Sequence, residues 1–327
     1  MKNFDHSIPT EILNSMKLRN LDIIKQNMMM TSELIKVLKI LEKNNIEAIP
    51  FKGAVLSQLA YGDVVYRQYV DLDILVKEED LRKTFEILEE NYYKASLEKE
   101  FIFNKLFLDK NSDISFINQK NNLCIELHWK LFRNKFSNGI NNKDFFDLKN
   151  KLEINSYELY IFNNELLLVY LCMHGSKHRW ERIEWITDID RLLRNYDIDL
   201  EIAYQIAKKY NCVKMLNLGL YINYKLYDTF IPQKYLNRLK KESYEKMIAY
   251  IFSEIIKTTN NKNETTRNFD SVKFHYSLNE TFYEKILFLK KTYLEISNND
   301  TASFNSDSIL LHYLNKPIRI LKKYLLK

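Results

Sequence analysis

The chain is 327 residues long, with 46% apolar and 28% charged residues and a net charge of +6 from 49 basic against 43 acidic side chains. That length exceeds what one small core needs and predicts two packed units, while the charge is too mild to mark a nucleic-acid binder. No run of about 18 apolar residues is present to cross a membrane, and Met1 to His6 lacks the apolar stretch of a signal peptide, so a cytoplasmic protein is expected.

Leucine, isoleucine and methionine recur at helical spacing from about residue 11 to 44 and stop at Lys43-Asn44-Asn45, which predicts one or two helices. Ile46 to Lys52 reads as a short strand, with Pro50 placing it at an edge or near the strand end. Gly53 follows, and Ala54 to Ala60 looks like a helix that starts at once. A strand that turns through glycine into a helix gathers backbone N–H groups and a helix N-terminus at one spot, which attracts phosphate.

The next segment, Val70 to Val76, alternates two carboxylates with apolar residues. On a strand Asp71 and Asp73 share a face, ~7 Å apart along the backbone, and Leu72, Ile74 and Val76 supply the core side. Two acids so placed repel each other and are costly unless a cation lies between them, which a divalent metal usually provides. A solvated edge, or pairing with a nearby arginine, would produce the same pattern.

A helix is predicted from about Glu78 to Glu90, with Leu81, Phe85 and Leu88 on one face. Asn111 to Asn118 and Leu123 to Leu131 then read as an antiparallel pair joined through Gln119 to Asn122. In the second of these, Leu123, Ile125, Leu127, Trp129 and Leu131 face one way, and Cys124, Glu126, His128 and Lys130 the other. Glu126 and His128 therefore share a polar face, as the aspartates do. Everything before about residue 150 is expected to be mixed α/β, and almost everything after about 163 helical. Cys124, Cys172 and Cys212 are widely spaced among apolar neighbours and read as small core residues rather than a disulfide or zinc framework. Asn260 to Thr266 reads as a polar loop, and Lys316 to Lys327 as an amphipathic helix with a basic face.

A second concentration of chemistry lies between Glu165 and Leu193. On an unbroken helix His174, Lys177, His178, Glu181, Trp185 and Asp188 fall within an arc of roughly 100°, forming one polar and aromatic stripe. The residues His128, Trp129, His174, His178, Trp180 and Trp185 hold half of the chain's six histidines and all three of its tryptophans and suggest a shared pocket. Surface charge pairs such as Lys177 with Glu181 offer a plainer explanation. Zinc binding by His174 and His178 lacks a third ligand in the sequence.

Taken together, Phe51-Lys52-Gly53-Ala54, Arg67 followed by Asp71-Leu72-Asp73-Ile74-Leu75-Val76, Ile125-Glu126-Leu127-His128-Trp129, and the run from His174 through Arg182 resemble a bacterial family of uncharacterised nucleotidyltransferases within the DNA polymerase β-like superfamily. The resemblance implies an α+β fold: a small mixed β-sheet flanked by helices over residues 1–150, followed by a mainly α-helical domain over 151–327 that closes over the active site. It implies that Asp71, Asp73 and Glu126 are the metal-binding and catalytic acids and that Gly53 makes the phosphate turn. Lys52-Gly53-Ala54 replaces the more usual Gly-Ser or Gly-Gly pair of the superfamily, and Lys52 would supply charge there instead. Lys52, Arg67, Lys177 and Arg182 are the candidates to balance triphosphate charge, with His174, His178 and Trp180 lining a base or acceptor pocket from the helical domain. The expected reaction is metal-dependent transfer of a nucleoside monophosphate from an NTP, such as ATP, to an acceptor hydroxyl. Two Mg²⁺ or Mn²⁺ ions ~3.5–4 Å apart would clamp the attacking and leaving oxygens. A small molecule, peptide or protein acceptor is favoured over nucleic acid, since no basic stripe with interleaved aromatics is visible. The alternatives are a catalytically silent nucleotide sensor and a toxin-like enzyme acting on tRNA. Replacing Asp71 and Asp73 by Asn is expected to abolish transfer and leave folding intact, or stabilise it.

Overall fold

A computed structural model of the protein describes residues 8–131, 145–242, 244–256 and 272–290. The polar loop Asn260 to Thr266 and the basic tail Lys316 to Lys327 lie outside the described residues. The chain divides into two compact units, Met1–Leu167 with Asn195–Asp197, and Leu168–Arg194 with Ile198–Lys327.

The first unit begins with one long helix, α1 (Thr10–Lys43). Its buried residues Asn27, Met30, Thr31, Leu34, Val37, Leu38 and Leu41 recur at three- and four-residue steps, a stripe that packs on the sheet and neighbouring helices. In chain order there follow β1 (Ala48–Pro50), α2 (Gly53–Tyr61), β2 (Asp71–Val76), a 3₁₀ turn at Glu78–Asp80, α3 (Leu81–Glu90) and β3 (Tyr93–Ala95). Two short helices, α4 (Lys99–Ile102) and α5 (Lys105–Lys110), lead into β4 (Asp113–Asn118) and β5 (Cys124–His128).

These strands form one five-stranded mixed sheet in the order β1-β2-β5-β4-β3. Pairing is antiparallel throughout except between β2 and β5, which run parallel. The edge strand β1 ends at Pro50, where a missing N–H interrupts no ladder. Ile125 and Leu127 on one face of β5, and Trp129 just past its end, are fully buried, as the alternation of the sequence requires.

One hairpin departs from the sequence-based expectation: β6 (Lys149–Ile154) and β7 (Tyr157–Phe162) pair antiparallel within the first unit. Asn155 and Ser156 make its two-residue turn, both with positive φ. Its strand Lys149-Asn150-Lys151-Leu152-Glu153-Ile154 holds too few apolar residues to show a period of two. What holds it is tertiary: Phe162 stacks on Phe51 at 5.4 Å, and the Lys149 ammonium bonds the Glu47 carboxylate.

The second unit is helical, with α6 (Asn164–Lys177) entering it, then α7 (Ile183–Asn195), α8 (Leu200–Lys209), α9 (Val213–Tyr227), α10 (Gln233–Lys241) and α11 (Glu245–Ile256). Further helical turns cover 272–278 and 282–290. The run expected as one helix is broken. α6 stops at Lys177, Arg179 and Trp180 take positive φ, and α7 starts at Ile183. The cause is Trp180, whose indole folds back into the core with 0% exposure. A Cβ on Gly175 would lie 2.5 Å from that ring, and one on Gly219 of α9 would lie 3.2 Å from it. Two glycines thus make the slot that the tryptophan fills. Trp180 and Trp129 are core residues, not the walls of a shared pocket.

Candidate active site

The site is built on the parallel pair at the middle of the sheet. In register, Asp71 lies beside Cys124, Asp73 beside Glu126, and Leu75 beside His128. Side chains alternate, so Asp71, Asp73, Glu126 and His128 all stand on one face. The pairing of β2 with β5 therefore brings together the three acids singled out in the sequence and adds His128.

Asp73 is the buried centre, with only 2% exposure. Its Oδ1 meets Lys52 Nζ at 2.6 Å and His128 Nε2 at 3.2 Å. Its Oδ2 is buried and has no hydrogen-bond partner among the described residues. Burial alone would raise this carboxyl, but the Lys52 ammonium and the hydrogen bond from His128 outweigh it and hold Asp73 well below the usual carboxylate range. For His128 burial alone would lower the imidazole. Hydrogen bonds to Asp73 and Glu126, with Nε2 of His128 3.5 Å from Glu126 Oε2, carry it the other way, up to about 9.

Asp71 behaves oppositely. Burial and then the neighbouring Asp73 charge push it up to about 6, only partly offset by Lys52. Arg67 contributes a weaker pull in the same direction as Lys52. Glu126 is more open than Asp73, its side chain 32% exposed. The crowding of negative charge reaches Cys124, whose thiol is raised to about 11 by burial, then Glu126, Asp71 and Asp73. That disfavours the thiolate. Among the described residues, Asp73, Glu126 and His128 form the one cluster of His, Cys and carboxylate groups whose donor atoms all lie within 4.8 Å of one another.

Glycine is required at position 53 by geometry. Gly53 has φ of +52°, and a Cβ there would meet the Asp71 carbonyl oxygen at 3.3 Å and the Tyr69 ring at 3.4 Å. The helix α2 therefore begins against the backbone of the aspartate strand, with Lys52 immediately before it reaching Asp73.

The loop from Gly62 to Val70 is fixed from α1. Asn27 Nδ2 donates to the carbonyls of Val64 (3.1 Å) and Arg67 (2.7 Å), while Thr31 Oγ1 and Tyr69 Oη lie 2.9 Å apart. Ser57 of α2 donates to the Asp63 carbonyl at 2.6 Å and accepts from the Arg67 N–H at 3.2 Å. Sequence reasoning misses these supports, because Asn27 and Thr31 look like ordinary polar positions in a helix.

His174, Lys177, His178 and Arg182 all belong to the second unit. The break after α6 keeps the two histidines together with Trp185. The His174 ring centre lies 4.8 Å from that of His178 and 5.1 Å from that of Trp185, with Tyr170 stacked at 5.9 Å. Arg182 sits 5.9 Å from the Trp185 ring and pairs with Glu184 at 3.1 Å. Glu181 accepts from Arg179.

A family model described as uncharacterised nucleotidyltransferase matches residues 1–228. The chain belongs to that family. As a member it is a nucleotidyltransferase, and the match spans both the sheet bearing the acids and the helices through Tyr227. Three solved structures are also similar. The lincosamide antibiotic adenylyltransferase LnuA, bound to lincomycin, shares 16% identity over 49% of this chain and 94% of its own, with a TM-score of 0.35. The antibiotic-resistance factor ANT(2'')-Ia shares 12% over 61% and 96%, with a TM-score of 0.36. An antigenic nucleotidyltransferase-like protein from Paracoccidioides brasiliensis shares 14% over 57% and 90%, with a TM-score of 0.33. No curated protein gives a match. Among the described residues of this nucleotidyltransferase, no helix is long and apolar enough to cross a membrane.

Proposed function

We propose that the protein moves a nucleoside monophosphate from an NTP to an acceptor hydroxyl, using divalent metal, Mg²⁺ or Mn²⁺, held by Asp71, Asp73 and Glu126. The observation that carries this reading is the set of three carboxylates on one face of adjacent parallel strands, one of them with a buried oxygen that no described residue satisfies. A buried carboxylate oxygen without a donor is costly, and the raised Asp71 reflects burial first and then the crowding of the acids. Both fit residues arranged for a cation. Two bound ions would neutralise charge at the reacting phosphate and ease loss of the acceptor proton.

The chain's own groups divide the remaining work. Glu126, more open than Asp73, faces the acceptor side and takes the hydroxyl proton. Lys52 holds Asp73 before substrate arrives and supplies positive charge to the triphosphate afterwards, with Arg67 beside it. The Gly53 turn lets the start of α2 approach the phosphates closely. His174, Lys177, His178 and Arg182 are proposed as further nucleotide contacts. A small-molecule, peptide or protein hydroxyl is the favoured acceptor class, on the mild net charge.

The test is incubation of purified protein with each α-³²P-labelled NTP and Mg²⁺ or Mn²⁺ in a lysate of its host, beside Asp71→Asn and Glu126→Gln. Label transferred by wild type alone, and lost on chelation, supports the reading and reports base and acceptor class. Full transfer by either variant rejects the assigned roles.

A further inference from the structure

His128 has no place in the three-carboxylate scheme, yet it is held in the middle of it. Its Nε2 lies 3.2 Å from Asp73 Oδ1 and 3.5 Å from Glu126 Oε2, and one donor atom from each of the three residues falls within 4.8 Å of the others. Two ligands at right angles around an ion with bonds of about 2.1–2.2 Å are roughly 3 Å apart, and two opposite ligands roughly 4.3 Å. The observed spacings match that range. The ring is fixed from outside the cluster, because Phe51 meets it edge-on at a centroid distance of 5.0 Å. Its Nδ1 is buried without a hydrogen-bond partner among the described residues. Without an ion Nε2 donates to these carboxylates; on metal binding that proton leaves to solvent, Nδ1 keeps the other, and the Nε2 lone pair is aimed between the carboxylates.

We propose that His128 is a nitrogen ligand of the catalytic cation, so that Asp73, Glu126 and His128 form a mixed carboxylate–imidazole centre that prefers a transition ion such as Mn²⁺ to Mg²⁺. The inference rests on the metal-dependent reading above and deepens it. All-oxygen sites suit Mg²⁺, whereas imidazole raises affinity for first-row transition ions. Lys52 also reaches Asp73 Oδ1, at 2.6 Å, so the ion would displace the ammonium from that oxygen.

The experiment uses the full-length protein with MnCl₂ alone. Pulsed EPR on the bound ion should show imidazole ¹⁴N modulation in wild type. The signal should change to the ¹⁵N pattern when histidine is ¹⁵N-labelled, which needs no mutation. In His128→Gln the nitrogen signal should vanish, Mn²⁺ affinity by calorimetry should fall about tenfold or more, and Mg²⁺ affinity should change far less. Bound Mn²⁺ that is lost in Asp73→Asn but shows no histidine nitrogen in wild type would overturn the role of His128 and leave the carboxylate reading standing. Nitrogen modulation that persists in His128→Gln would overturn it too. Absence of Mn²⁺ binding in wild type would reject both.

Discussion

Asp71 and Asp73 are two residues apart on one strand face, yet their replacement by Asn should shift stability in opposite directions. Raising the Asp71 carboxyl from 3.8 to about 6 corresponds to about 3 kcal/mol at neutral pH, at 1.36 kcal/mol per tenfold change in proton affinity. The folded protein holds that proton more tightly than the unfolded chain. Stability of the metal-free protein therefore falls as pH rises from about 4 to about 6, and the full penalty stands above that window. Asp71→Asn removes it, so denaturant titration in EDTA at pH 7.5 should show a gain of about 2–3 kcal/mol, shrinking towards zero at pH 4 with an unchanged m-value. Asp73→Asn instead takes the buried carboxylate away from the Lys52 ammonium and the His128 ring, whose side chains are 14% and 8% exposed. Breaking a buried pair by removing one partner costs roughly 3–5 kcal/mol. This separates two residues that the sequence treats alike. If both variants move stability the same way at pH 7.5, or if Asp71→Asn gains nothing, Asp71 is not the buried, crowded carboxyl described above.

Gly53→Ala forces a side chain into positive φ against the Asp71 carbonyl; it should lower stability by about 1–2 kcal/mol and reduce label transfer at least tenfold. Glu33→Ala should cost about 2–4 kcal/mol in denaturant midpoint, because Glu33 accepts from Tyr93, from Asn118 at 2.6 Å and from Asn121 at 3.2 Å, deep between α1 and the sheet. Its transfer rate per folded molecule should stay near wild type. Gly175→Ala should overpack the Trp180 slot at a cost of roughly 1–3 kcal/mol, seen as a red shift of tryptophan emission and a lower melting temperature for the second unit.

The sheet is largely legible in the sequence because its informative strands carry strict alternation. Asp71 to Val76 and Leu123 to Leu131 announce which side chains share a face, and the same alternation sets Glu126 and His128 side by side on the polar one. What alternation does not give is pairing. That β5 lies parallel beside β2, rather than only against β4, is a tertiary fact, and it alone puts His128 within reach of Asp73. The hairpin of β6 and β7 leaves little trace in the sequence, since its stabilising contacts, Phe162 on Phe51 and Lys149 on Glu47, join residues about a hundred positions apart. The continuous helix fails for a different reason. Periodicity assumes an unbroken helix, and the demand of one large indole for a buried slot between two glycines overrides it at Trp180.

The strands that carry the acids are both interior to the sheet, β2 between β1 and β5, and β5 between β2 and β4. Neither can fray from an edge, so exposing their amides to solvent requires the first unit to open as a whole. Hydrogen–deuterium exchange at Asp71 to Val76 and Cys124 to His128 should consequently be among the slowest in the chain. Heat inactivation would then track the cooperative melting of that unit, making catalytic activity an unusually direct gauge of whether the α1–sheet core is folded.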